Sequence, residues 1–189
     1  MNKRTVCLTE EQYHKIIDVL LNGYKGFRPN DRIATALVLE ANLGIRISDI
    51  LALRLNRIVK DGTRYRFDIV EQKTGKRRDF TVPQEVYWFL RDYCVDKKIA
   101  VDAIIFNLTE RAVQKQLAKV CDYLGYEGIS THSFRKYFGT GLYYDTNCDI
   151  ALVQQALQHS SPAVTRKYIG IQMKALEEAL ARRVDLPKR

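Results

Sequence analysis

Hydrophobic periodicity switches once along this chain and then switches back, and that change constrains the fold more tightly than any other feature. Behind Thr9 and Gln12, spaced as a capping box, Tyr13, Ile16, Ile17, Leu20 and Leu21 recur at helical spacing until Asn22-Gly23 stops them. Asp31 is placed to cap a second helix through Ile33, Leu37 and Leu39 toward Leu43, with Gly44 as its stop. Ser48 is the expected N-cap of the next helix, before Ile50 and Leu51, so Ile45-Arg46-Ile47 falls at a helix-to-helix turn. From Ile58 to Val82 the period drops to two. Asp61-Gly62 signals a turn, Tyr65, Phe67 and Ile69 alternate with polar residues, and Phe80 to Val82 resumes after Lys73-Thr74-Gly75-Lys76. This predicts a small antiparallel sheet with a basic hairpin tip.

After Pro83 the helical period returns in Val86, Phe89, Leu90 and Tyr93, and again in Ala112, Val113, Leu117, Val120 and Leu124 behind a Thr109 cap. Further helices fit His132 to Tyr144, Ile150 to Leu157, Ala163 to Ile169 and Lys174 to Arg183. The expected class is α+β, mainly α, with one small antiparallel sheet. Repeats and linkers are lacking and the four prolines are scattered, so a single domain over residues 1–189 is expected.

Lys and Arg total 31 against 22 Asp and Glu, a formal charge of +9, which makes a polyanion the first partner to consider. An apolar fraction of 46% suits a folded globule and excludes a disordered or fibrous chain. Neither a run of 18 apolar residues nor the apolar stretch of a signal peptide occurs, so no membrane partner and a cytoplasmic location are expected. Cys7, Cys94, Cys121 and Cys148 lie far apart without a C-x-x-C pair or histidine cluster, and read as reduced thiols rather than metal ligands.

The chemistry-bearing stretch is Thr131-His132-Ser133-Phe134-Arg135, followed by Gln158-His159-Ser160-Ser161-Pro162 and Thr165-Arg166-Lys167-Tyr168. Residues three apart share a helix face, so His132 and Arg135 can address one point. A histidine can donate a hydrogen bond or move a proton near neutral pH, and an arginine fork matches two phosphate oxygens. Alone, H-x-x-R equally describes a solvated helix face. Gly44-Ile45-Arg46-Ile47-Ser48-Asp49-Ile50-Leu51-Ala52-Leu53-Arg54, however, resembles the arginine box of the tyrosine recombinase (phage integrase) family. A lysine-bearing hairpin, H-x-x-R, Leu157-Gln158-His159-Ser160-Ser161 and a tyrosine nine residues after His159 extend the likeness over nearly the whole chain.

The resemblance implies a DNA strand transferase. Arg46 and Arg135 would clamp the scissile phosphate, His132 and His159 would donate to it, and His132 could also assist proton transfer. Tyr168 would be the nucleophile, giving a 3′-phosphotyrosyl linkage and a free 5′-hydroxyl. Lys73 would protonate the leaving oxygen, with Lys76 as its competitor, and Asp49 would be an orienting carboxylate. Arg77, Arg78, Lys115 and Lys119 are candidate DNA-backbone contacts; a solvated surface is the alternative for each. The scheme requires neither metal nor cofactor, because the phosphotyrosyl ester conserves the broken bond.

The implied partner is double-stranded DNA, bound by a tetramer that is monomeric in dilute solution, with accessory DNA-bending proteins and a nucleoid-associated location. An apolar stripe of Met173, Leu176, Ala179 and Leu180 in Gln172 to Arg189 would dock into a neighbouring protomer or fold back on its own core. Lys136 departs from the family, many members of which carry histidine there. No core-binding domain precedes Leu8, which suggests a minimal recombinase or an excised catalytic domain. The rival readings are a type IB topoisomerase-like nicking-closing enzyme and a non-catalytic DNA-binding regulator.

Overall fold

The computed structural model describes residues 5–169, except 71, 72, 74, 76, 79 and 80; of residues 69, 70, 77 and 78 only the backbone is described. The chain divides into two units, residues 1–138 and 139–189.

In the first unit, α1 (Glu10–Asn22) starts on a complete capping box: Gln12 N–H donates to the Thr9 hydroxyl at 3.2 Å, and Thr9 N–H donates to Gln12 Oε1 at 3.0 Å. The next helix, α2 (Asp31–Leu43), is capped by Asn30, not by Asp31 as expected. Asn30 Oδ1 accepts from Ile33 N–H at 3.2 Å, while Asp31 lies one residue further in and favours the positive end of the helix. Nine of the 13 residues of α2 are buried. A helix covered on nearly every side belongs at the centre of its unit, and α2 packs against both α1 and α3 (Ile47–Leu51). Ser48 is inside α3 rather than its cap; Arg46 holds the cap position and offers only its backbone carbonyl.

A short 3₁₀ turn (Leu55–Arg57) leads into β1 (Ile58–Asp61), β2 (Arg64–Phe67) and β5 (Thr81–Val82), an antiparallel sheet in the order β1-β2-β5. Register pairs Ile58 with Phe67 and Tyr65 with Val82. Asp68 interrupts the alternation predicted through Ile69, so β3 (Ile69–Val70) and β4 (Arg77–Arg78) form a separate two-stranded ribbon. Phe80 lies outside the described residues. The buried face of the sheet, with Ile58, Phe67 and Val82, joins the core, and the Tyr65 ring stacks on Tyr87 of α4 (Gln84–Asp96) at 3.8 Å between centroids. Along α4 the fully covered line is Leu90 and Cys94, four residues apart; Phe89, expected on that face, is 44% exposed because it falls about 100° around the helix.

Helix α5 (Glu110–Leu124) starts on its predicted Thr109 cap and buries Val113, Leu117, Val120 and Cys121. Helix α6 (Thr131–Asp145) buries Phe134, and Tyr137 of the same helix stacks on Tyr13 of α1. The boundary between the two units falls within α6. In the second unit, α7 (Ile150–Leu157) is capped by Asp149, and α8 (Pro162–Ile169) follows. Gly139 lies against Leu157 and Ile169, where a Cβ would stand 3.0 and 3.1 Å from their side chains. The apolar stripe expected after Gln172 and the helix Lys174 to Arg183 lie outside the described residues. All four cysteines are free thiols. No helix among the described residues is long and apolar enough to cross a membrane.

Candidate active site

The turn between α2 and α3 positions Arg46. Ile45 and Ile47 are both buried, and the extended backbone between them (φ −70°, ψ 149° at Arg46) turns the intervening side chain away from the core. The Arg46 carbonyl accepts from the amides of Asp49 and Ile50 at 3.0 and 3.1 Å, which fixes the backbone under the half-buried guanidinium. Asp49 is buried in the first turn of α3.

Arg135 reaches this turn from α6. It is 2% exposed, and its Nη1 donates to the Gly44 carbonyl at 2.5 Å. Gly44 offers that carbonyl from a left-handed conformation (φ 57°, ψ 23°) in which its hydrogen faces the Phe138 ring. His132, one turn before Arg135, is exposed in the first turn of α6, while Thr131, Ser133 and Phe134 around it are buried. Ser133 Oγ accepts from the Ser130 amide at 3.1 Å and closes the helix start. Lys73 lies exposed in the turn between β3 and β4.

These groups share one field. Partial desolvation holds the His132 imidazole below its ordinary pKa, and the charges of Arg135, Lys73 and Arg46 push the same way; Glu110 opposes them. The structure thus groups four of the predicted residues electrostatically in the first unit. A buried carboxylate interacting with Arg135 was not predicted. Glu40 of α2 is fully buried, neither carboxylate oxygen makes a hydrogen bond of regular geometry, and burial raises its pKa well above the ordinary value. Arg135 and the Ile47 amide offset this only in part, and Glu110 adds to it. The sequence signal was a lone carboxylate in the otherwise uncharged run Ala34 to Ala41.

The second unit carries His159 and Tyr168. Helix α7 ends with Gln158 in a left-handed conformation (φ 51°), where the family segment resembled in the sequence has glycine. The His159 amide donates to the Gln154 carbonyl and Gln154 Nε2 donates to the His159 carbonyl, both at 3.1 Å. The rings of His159 and Tyr168 meet edge to face at 4.9 Å between centroids. His159 Nδ1 lies 3.1 Å from the hydroxyl of Thr165, a residue the sequence reading passed over, although it stands three before Tyr168 on the same helical face.

Lys115 and Lys119 are exposed on α5. Arg77 and Arg78 occupy β4, and Lys76 lies outside the described residues. Among the described residues no cluster of three metal-ligating side chains occurs.

The fold is that of a tyrosine recombinase catalytic domain. XerH site-specific recombinase, solved bound to palindromic difH substrate in a post-cleavage complex, is similar with a TM-score of 0.67 and 21% identity over 95% of this chain and 54% of that one. XerA recombinase gives 0.69 at 18% identity, covering 98% and 66% of the two chains. The catalytic domain of bacteriophage HP1 integrase gives 0.63 at 16% identity, covering 95% and 96%.

Residues 7–175 match the phage integrase family, and the chain belongs to it. The probable integrase/recombinase YoeC of Bacillus subtilis (strain 168) is 31% identical over 169 residues, which are 85% of this chain and 86% of YoeC. Tyrosine recombinase XerC of Bradyrhizobium diazoefficiens is 29% identical over 159 residues, 79% of this chain but 49% of XerC. The chain therefore spans about half the length of that relative.

Proposed function

We propose that this chain is a site-specific DNA recombinase that cleaves and rejoins strands through a 3′-phosphotyrosyl intermediate, for integration, excision or inversion. The observation that carries the reading is Arg135, buried and braced on the Gly44 carbonyl at the turn that carries Arg46, with Arg135, Lys73 and Arg46 all acting to lower the His132 pKa. Cations gathered at such a point suit a phosphate whose charge grows as phosphorus becomes five-coordinate.

The Tyr168 oxygen attacks phosphorus, the bond to the 5′-oxygen breaks, and Lys73 gives that oxygen its proton. Arg46 and Arg135 hold the nonbridging oxygens, and His159 donates to one of them. An ordinary phenol has a pKa of about 10, so its proton needs an acceptor as attack proceeds. His132, whose imidazole partial desolvation and the neighbouring cations hold below its ordinary pKa, is suited to that role. Asp49 is the orienting carboxylate. Rejoining reverses the step with another 5′-hydroxyl, so the scheme uses neither metal nor nucleotide cofactor.

Double-stranded DNA is the proposed partner, with Lys76, Arg77, Arg78, Lys115 and Lys119 along its backbone. A tetramer assembled on DNA from monomers, aided by DNA-bending proteins in the cytoplasm, is the proposed working state. The test is Tyr168→Phe on a suicide substrate nicked beside the cleavage point. The variant binds DNA like the parent and forms no covalent adduct on a denaturing gel. An adduct from the variant would refute the nucleophile; relaxation of any supercoiled plasmid by the parent would point to a nicking-closing enzyme instead.

A further inference from the structure

Thr165 is fully buried in α8, and its hydroxyl makes two contacts. One, at 3.3 Å, is donation to the Ser161 carbonyl four residues back, the ordinary way a helical threonine is satisfied. That carbonyl already accepts the Thr165 amide at 3.2 Å. The second contact, 3.1 Å from His159 Nδ1, is not needed to satisfy the threonine. A valine of the same shape would fill the space equally well, so what the hydroxyl adds is a grip on the imidazole.

We infer that Thr165 is a positioning residue for His159, holding the ring by Nδ1 and thereby assigning Nε2 as the nitrogen offered to the scissile phosphate. The purpose rests on the recombinase reading; the grip does not. Gln154 clamps the His159 backbone through both amide and carbonyl, and Thr165 holds the ring by Nδ1. Because Thr165 precedes Tyr168 by three residues, one turn of α8 carries both the histidine's tether and the proposed nucleophile. The relation between the two rings is thus set within a single unit.

The chemistry of the tether matters. A hydroxyl both donates and accepts. It accepts from Nδ1–H while its own proton goes to the Ser161 carbonyl, and it donates to a bare Nδ1, releasing that carbonyl, when the single ring proton sits on Nε2. A carboxylate in its place would favour the charged ring, and a carbonyl would pair only with Nδ1–H. Thr165 therefore keeps the ring orientation through a change of protonation, and in the neutral ring it permits the Nε2–H form that donation to phosphate requires.

The 189 residues include three histidines, so ring ¹⁵N signals can be assigned by substitution. Thr165→Val removes the hydroxyl and keeps the shape; Thr165→Ser keeps the hydroxyl. In the protein without DNA, Val is expected to move the His159 Nδ1 signal and Ser to leave it near the parent value. In single-turnover cleavage of a nicked suicide substrate, Val should slow the reaction by about tenfold or more, the scale on which orienting partners act elsewhere, while DNA binding is unchanged and Ser restores most of the rate. Parental cleavage by the Val variant, equal loss with Val and Ser, or ¹⁵N signals indifferent to Val would each overturn the proposal. If the parent itself fails to cleave while the signals respond as expected, the tether stands and the recombinase reading falls.

Discussion

Gly44→Ala tests the packing at the turn on which Arg135 braces. At φ 57° and ψ 23° an alanine occupies the left-handed region at a cost of about 1–2 kcal/mol. Its Cβ would also stand 2.1 Å from Phe138 Cδ1 and 2.4 Å from Cε1, where the ring or the helix must move. Forcing a methyl into packed space costs typically about 1–3 kcal/mol. The sum is about 2–5 kcal/mol, or a fall of about 4–20 °C in melting temperature for a chain of this size. Gly125 provides the control: it ends α5 at φ 70° and ψ 26°, nearly the same conformation, but a Cβ there meets nothing within 4 Å. Gly125→Ala should therefore show the backbone cost alone, and the difference between the variants isolates Phe138. Trp88, the sole tryptophan, lies in the first unit, so its fluorescence follows this unit during melting. Adding Phe138→Ala should recover part of the Gly44→Ala loss, a non-additivity expected of touching residues. Equal losses at Gly44 and Gly125 would refute the reasoning.

Arg135→Lys should reduce cleavage by about a hundredfold, because an ammonium cannot both brace on the Gly44 carbonyl and fork two phosphate oxygens; retention of most activity in a single-turnover assay would dismiss the clamp. Lys73→Ala should be largely rescued by a substrate with sulfur as the bridging 5′ atom, since a thiolate departs without a proton, and rescue of Lys76→Ala instead would transfer the role. Glu40 binds its proton more tightly folded than unfolded, so stability falls as pH rises above the ordinary carboxylate range. Glu40→Gln should remove that slope in denaturant titrations at several pH values, and an unchanged slope would assign it elsewhere. Gln158→Gly should raise stability by about 1 kcal/mol by relieving the left-handed φ, read from the shift of the denaturation midpoint.

Long amphipathic helices and their caps were legible because a capping pattern and a 3.6-residue period are local signals; α1 and α5 start and stop as expected. The errors arose where neighbours of equal merit competed. Asn30 and Asp31 are both good caps, and only the chain path into α2 decides between them. Ser48 was set aside because the Arg46 backbone already terminates the turn. The histidine and arginine pattern was legible as spacing, but the surroundings of Glu40 and Thr165 were not. Their importance depends on what burial places beside them, Arg135 from 95 residues away in one case and an imidazole beyond a helix break in the other.

The bond from Arg135 to Gly44 joins residues 91 apart. Closing a flexible loop of that length costs about 4 kcal/mol in chain entropy, more than one hydrogen bond returns. The contact therefore cannot form ahead of the core around it. During synthesis the ribosome releases the Arg46 turn long before the α6 helix exists, and His159 and Tyr168 follow later still. A growing polypeptide thus presents the Arg46 turn before Arg135 is there to brace on it.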